Sequence, residues 1–172
     1  PMRRLLARAK PRAAALALIE RARARADRFA GCWLFADRRF DAGDNAEHQY
    51  RWTRIHHPEI KCGFILDRRA GDWARLEDEG FDLVAAGSKE LDIALASAAL
   101  LISSHADEGP RLRLDAKGFK NVLPFRFVFL QHGTIKDDLS AWINRIDPAL
   151  MVTSSPREYE SIRHTNRTPI AG

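Results

Sequence analysis

Short apolar runs, each stopped by polar or glycine residues and most followed by a stretch of helix-forming sequence, recur from residue 31 to residue 163. The runs are Gly31–Phe35, Lys61–Leu66, Asp82–Ala85, Ala99–Ile102, Phe127–Leu130 and Leu150–Val152. Between them the sequence predicts helices over 45–56, 72–79, 89–98, from Asp137 or Asp138 onward, and 156–163. Strands that alternate with helices of about ten residues imply right-handed crossovers and a parallel sheet covered on both faces. The predicted fold is therefore α/β, a Rossmann-like doubly wound and mostly parallel sheet. Residues 106–124, rich in charge, glycine and proline, read as a loop, and Thr168–Ala171 read as the start of another strand.

In an open parallel sheet, ligands bind beyond the carboxyl ends of the strands, so the residues that end the apolar runs carry the functional information. Phe127-Val128-Phe129-Leu130 ends in Gln131-His132-Gly133-Thr134, with Lys136 close behind. An imidazole there faces a crevice, and Gly133 permits a sharp turn and close backbone approach. On these residues alone His132 either does chemistry or satisfies loop backbone groups. His105, after Ser103-Ser104, ends a second strand in the same way, although only its position speaks for it. Asp44 or Asn45 suits the N-cap of the first helix, because either side chain accepts orphan amide hydrogens of a first turn, and the same group can also touch a ligand. Ser103, Ser104 and Ser154 can contact a ligand or cap a helix. Ser88 reads as an N-cap, Gly80 as a helix stop and Pro156 as a first helical residue.

A chain of 172 residues fits one domain of the usual ~100–200 residues. No run approaches the ~18 apolar residues needed to cross a bilayer, and arginines break up the amino-terminal segment, so no secretory signal is evident. Cys32 and Cys62 are too few and too far apart for a metal site, no metal is expected, and both read as small buried hydrophobes in a reducing cytoplasm. The net charge of +5 is uneven. Residues 1–30 hold nine Lys/Arg against Glu20 and Asp27, or +7, which leaves 19 basic and 21 acidic side chains, or −2, for residues 31–172. Pro11 splits this segment into two predicted helices, with an apolar stripe of Ala15, Leu16, Leu18 and Ile19 beside Arg21, Arg23, Arg25 and Arg28. Such an arm can pack on the domain or lie on anionic headgroups. No aromatic residue interleaves the arginines, which argues against nucleic acid.

Taken in order, Trp33-Leu34-Phe35, Asp44-Asn45, Gly87-Ser88, Phe129-Leu130-Gln131-His132-Gly133-Thr134 with Lys136, and Thr153-Ser154-Ser155 resemble the CDP-glycerol glycerophosphotransferases, the teichoic-acid and capsule polymerases and primases. The resemblance covers residues 31–172 and leaves out 1–30. It implies a GT-B architecture in which this chain is the N-terminal, acceptor-side domain, 31–172, preceded by the basic helical arm, 1–30. It further implies transfer of glycerol phosphate from CDP-glycerol, a donor substrate rather than a cofactor, to a hydroxyl of a lipid-linked or polymer acceptor, with release of CMP. His132 would be the general base, for which a neutral imidazole is suited. Gln131, Gly133 and Thr134 would shape the turn around it, Asp44 and Asn45 would hold the loop opposite, Lys136 would offset phosphate charge, and Ser154 would contact substrate. A second essential histidine and the nucleotide pocket would lie in a further domain, so these residues alone are expected to be inactive. A lipid-linked acceptor also fits a cytoplasmic protein held peripherally on the membrane through residues 1–30.

Two other readings stay open: a GT-B sugar transferase using a nucleotide-sugar, and a non-catalytic binding module with a basic arm. A response-regulator-like domain is discounted, because the first strand is not followed by the acidic cluster that a divalent cation needs there.

Overall fold

The computed structural model describes residues 28–106, 124–133 and 139–164, together with positions 17, 20 and 24. Of the arm, positions 17, 20 and 24 are helical and the other residues before 28 lie outside the described residues, as do the loop over 107–123, Thr134, Lys136, Asp137, Asp138 and the terminal run 168–171. Within them the chain runs β1 (Trp33–Ala36), α1 (Asn45–His56), β2 (Cys62–Leu66), α2 (Trp73–Asp78), β3 (Leu83–Ala85), α3 (Lys89–Ser97), β4 (Leu100–Ser103), β5 (Arg126–Phe129), α4 (Ser140–Ile146), β6 (Leu150–Met151) and α5 (Pro156–His164). The strands form one sheet of order β3-β2-β1-β4-β5-β6, and every pairing is parallel. This is the Rossmann-like doubly wound fold that the alternation predicts. Its strand order reverses between β1 and β4, where Phe35 lies opposite Ile102 and Ala36 opposite Ser103.

Because side chains alternate across a strand, β1 feeds both faces of the sheet. Leu34 and Ala36 join Leu91, Leu95, Leu101, Phe127 and Phe129 in one buried layer, which also takes in Phe29. Phe35 joins Tyr50, Phe64, Leu66, Leu76, Ile102 and Val128 in the other. Gly63 has a packing reason: a Cβ there would sit 3.1 Å from Leu34 Cδ2 and 3.3 Å from Val84 Cγ2.

Helix α1 is fastened to the second layer by Tyr50, whose ring meets Phe35 and Phe64 edge-on and stacks on Phe81 with centroids 4.3 Å apart. The buried phenol oxygen accepts a hydrogen bond from the Asp82 amide at 2.8 Å, so its polarity is satisfied. One turn earlier, the buried Glu47 carboxylate accepts from Arg75 at 3.0 Å and from Arg51 at 2.6 Å. Burial raises its pKa, but the hydrogen bonds from Arg75 and Arg51 outweigh that and hold it below the ordinary range. Burial pushes the thiols of Cys32 and Cys62 up to about 12 and about 11, as expected for cysteines serving as hydrophobes.

Element boundaries follow local chemistry. Asp44 caps α1 and Ser88 caps α3, its Oγ accepting from the Leu91 amide at 3.0 Å. Gly80, with φ +74°, follows α2 in the left-handed conformation that stops a helix. Among the described residues, no helix is long and apolar enough to cross a membrane.

Candidate active site at the strand switch point

The carboxyl ends of β1, β4 and β5 converge on a connected set of polar groups. Asp37, directly after β1, is buried and organises it. Its Oδ1 accepts from the Ala46 amide at 3.0 Å and from Ser104 Oγ at 2.6 Å; its Oδ2 accepts from the amides of Asp44 at 3.0 Å and Glu47 at 3.2 Å. A carboxylate at a helix amino terminus is favoured by the helix dipole, and here it also joins β1, α1 and the end of β4. Asp44 and Asn45 are thereby held at the rim.

Asp44 caps with Oδ1, which accepts from the Asn45 amide at 2.7 Å, and turns Oδ2 to His105 Nε2 at 3.1 Å. The backbone of His105 is fixed by Ser103, whose hydroxyl donates to the His105 carbonyl at 2.6 Å and accepts from its amide at 3.2 Å. The His105 ring is buried, and the exposed His132 ring stacks on it with centroids 4.0 Å apart and planes 20° from parallel. A packed, hydrogen-bonded imidazole thus forms the floor beneath an accessible one.

The turn that presents His132 is built at Gln131 rather than at Gly133. Gln131 has φ +60°, whereas Gly133 is not left-handed and a Cβ there would meet nothing within 4 Å among the described residues. Three contacts hold this costly conformation. Asn45 Nδ2 donates to the Gln131 carbonyl at 2.8 Å, Gln131 Nε2 donates to Glu158 Oε1 at 3.1 Å, and Glu158 Oε2 accepts from the Ser154 amide at 2.7 Å and from its hydroxyl at 2.9 Å. Gln131 is only 4% exposed, and its Oε1 is buried without a partner among the described residues.

The structure therefore brings Asp44, Asn45, Gln131, His132 and Gly133 together, and it adds His105. Ser154 sits one strand further on, with its hydroxyl engaged by Glu158. Thr134 and Lys136 lie outside the described residues. Asp37 and Glu158 escape a sequence reading of the site, although each leaves a trace. Asp37 is an acidic residue directly after a buried strand, and Ser155-Pro156-Arg157-Glu158 has the spacing of a capping box, with the Glu158 amide donating to Ser155 Oγ at 3.2 Å.

Asp44, His105 and His132 bring one potential ligand atom each to within 4.8 Å of one another. A cation needs these atoms to converge at about 2.0–2.2 Å from a common point. Nearly parallel stacked rings send their lone pairs along parallel lines instead, and His105 Nε2 already faces Asp44. As it stands, the constellation suits hydrogen bonding and proton transfer better than coordination. A separate cleft lined by Tyr50, Arg54, Pro58, Ile60, Cys62, Gly80, Phe81 and Asp82 opens near the start of β2, away from these strand ends.

No family model matches the chain, and no solved structure gives a significant match. A curated protein does: over 135 residues the chain is 34% identical to the minor teichoic acid biosynthesis protein GgaB of Bacillus subtilis (strain 168). The chain belongs to the CDP-glycerol glycerophosphotransferase family. The match covers 76% of the chain and 15% of GgaB, so the chain spans a small part of that relative's length.

Proposed function

We propose that this chain is the acceptor-side domain of an enzyme that moves glycerol phosphate, or a related polyol phosphate, from a CDP-activated donor to a hydroxyl of a lipid-linked or polymer acceptor. One observation carries the proposal: an exposed imidazole at the strand switch point, seated on a buried imidazole that a carboxylate holds. His132 takes the proton of the acceptor hydroxyl as its oxygen forms a bond to the phosphorus bearing the glycerol. The bond from that phosphorus to the CMP oxygen breaks, and CMP leaves with the electron pair. Asp44, whose carboxylate lies within 4.8 Å of the nearest ring nitrogen of His132, favours the imidazolium as it forms. His105 fixes the plane of the His132 ring. The donor pocket and a second catalytic histidine belong to a further domain in a GT-B arrangement, so these residues alone are inactive.

The test is His132→Ala in the full-length protein, assayed by CMP release from CDP-glycerol and, in parallel, by nucleotide release from nucleotide-sugars. Loss of a general base lowers turnover by about two to four orders of magnitude. Near-normal turnover removes His132 from the chemistry, and activity on nucleotide-sugars alone replaces the donor. Residues 1–30, with their charge of +7, form a peripheral hold on an anionic cytoplasmic membrane face. Deleting them should abolish co-sedimentation with anionic liposomes, and unchanged binding removes that role.

A further inference from the structure

Helix α5 begins as its sequence suggests, with Ser155 as cap, Pro156 as first residue and Glu158 at the third helical position. In a capping box, the glutamate at that position reaches back to the amide of the cap residue itself. Glu158 reaches one residue further, its Oε2 accepting from the amide and hydroxyl of Ser154. Its Oε1 crosses to the end of β5 and accepts from Gln131 Nε2, 27 positions away in sequence. Both side chains are buried, Glu158 at 8% exposure. The start of a helix needs neither that burial nor the second oxygen, because a solvent-facing carboxylate serves the dipole as well. A buried carboxylate spanning two strand ends has a second use.

That use lies at Gln131. Its carbonyl belongs to the peptide bond that carries His132, and it accepts from Asn45 Nδ2 at 2.8 Å. Its side chain is held by Glu158. The residue is therefore gripped at both ends, by α1 at the peptide and by α5 at the side chain, in a left-handed conformation that its own sterics disfavour. Beyond Phe129, the sheet contributes the single bond from the Leu130 amide to the Ser103 carbonyl. With the side-chain grip released, Gln131 relaxes toward negative φ. The peptide that follows then turns, and the His132 ring leaves its place 4.0 Å above His105.

We propose that Glu158 is a positioning residue: through Gln131 it fixes the turn that lays His132 on His105, and so sets the direction in which the base faces its substrate. This rests on the reading of His132 as the base. It adds a buried carboxylate on α5 to the groups on which that base depends.

The test compares Glu158→Asp, Glu158→Gln and Glu158→Ala in the full-length protein, by CMP release and by hydrogen exchange of the peptide spanning Gln131 to Gly133. Aspartate keeps the charge and still suits a helix start, but falls one methylene short of Gln131. Glutamine keeps the length, and Gln131 can turn its amide over to accept a hydrogen bond from it. Glu158→Asp and Glu158→Ala should lower kcat about tenfold to a hundredfold, the scale of a misplacement of about 1 Å, with KM within about threefold. Both should speed exchange at the turn about tenfold. Glu158→Gln should stay within about fivefold of the parent. In a His132→Ala background, Glu158→Ala should cost no further turnover, since both act through one group.

An aspartate variant equal to the parent beside an impaired glutamine variant makes Glu158 a charged cap and overturns the proposal. So does unchanged exchange at the turn in Glu158→Ala, or a full additional loss in the His132→Ala background. The two readings fail separately. An inactive His132→Ala with every Glu158 variant at parental turnover rejects the positioning role alone, whereas near-normal turnover of His132→Ala rejects the base and the positioning role with it.

Discussion

The turn that presents His132 gives the sharpest contrast between what a motif suggests and what the backbone requires. Gln-His-Gly invites the expectation that glycine makes the turn, yet the left-handed residue is Gln131 at φ +60°. Replacing Gln131 with Gly has two opposed consequences. Relief of a non-glycine left-handed conformation gains about 1–2 kcal/mol. Against this, a buried amide loses its hydrogen bond to the Glu158 carboxylate, worth about 1.5–3 kcal/mol for a charged acceptor. The packing of a side chain only 4% exposed goes too, at about 1–2 kcal/mol for its methylenes. The losses win, and Gln131→Gly should destabilise by about 1–3 kcal/mol. Gly133→Ala should stay within about 0.5 kcal/mol, since the position is not left-handed and its Cβ meets nothing among the described residues. Urea unfolding followed by tryptophan fluorescence measures both. With a slope of about 1–3 kcal/mol/M, Gln131→Gly lowers the midpoint by roughly 1 M and Gly133→Ala leaves it nearly unmoved. A larger loss in Gly133→Ala than in Gln131→Gly would refute the assignment of the turn.

Two further outcomes follow from the same geometry. Asp44→Asn keeps a capping side chain, so stability should fall by less than about 1 kcal/mol, while loss of the carboxylate facing His105 should lower turnover about tenfold or more; turnover within twofold of the parent, in steady-state assays of the full-length protein, removes the positioning role of the pair. Glu47→Gln should cost about 1–2 kcal/mol at neutral pH, because Arg51 and Arg75 lose a buried partner while staying partly solvated. The folded pKa of Glu47 is depressed, so its contribution is present above the unfolded value of about 4.3 and disappears as pH falls through the folded one. Denaturation midpoints of parent and variant should therefore converge in acid, and a gap that persists below both values rejects the ion-pair account.

Much of the fold is legible in one dimension because its causes are local. The apolar runs, the Asp44 and Ser88 caps and the Gly80 stop are decided by neighbours a few residues away, and the predicted helix over 45–56 matches α1. Strand ends differ by one or two residues: β1 begins at Trp33, two beyond Gly31, and β5 ends at Phe129, one short of Leu130. The frayed positions retain single ladder-like bonds, such as the Leu130 amide donating to the Ser103 carbonyl at 2.9 Å. His132 is legible as the residue that ends the strand, and Asp44 as a cap.

What one dimension leaves open is every partnership that crosses the sheet. Asp44 and His105 are 61 positions apart, Asn45 and Gln131 are 86 apart, and Gln131 and Glu158 are 27 apart. The first two pairs meet because β1 and β4 become neighbours where the strand order reverses, and the third because β6 lies beside β5, choices made by the packing of two apolar layers rather than by local propensity. The sequence alone determined that polar residues would stand at the ends of parallel strands, because apolar periodicity dictates where each strand stops. Tertiary structure decided that Asp44 supports His105 and that His105 supports His132. Side-chain contacts between distant segments depend on strand order, and strand order is a property of the assembled core.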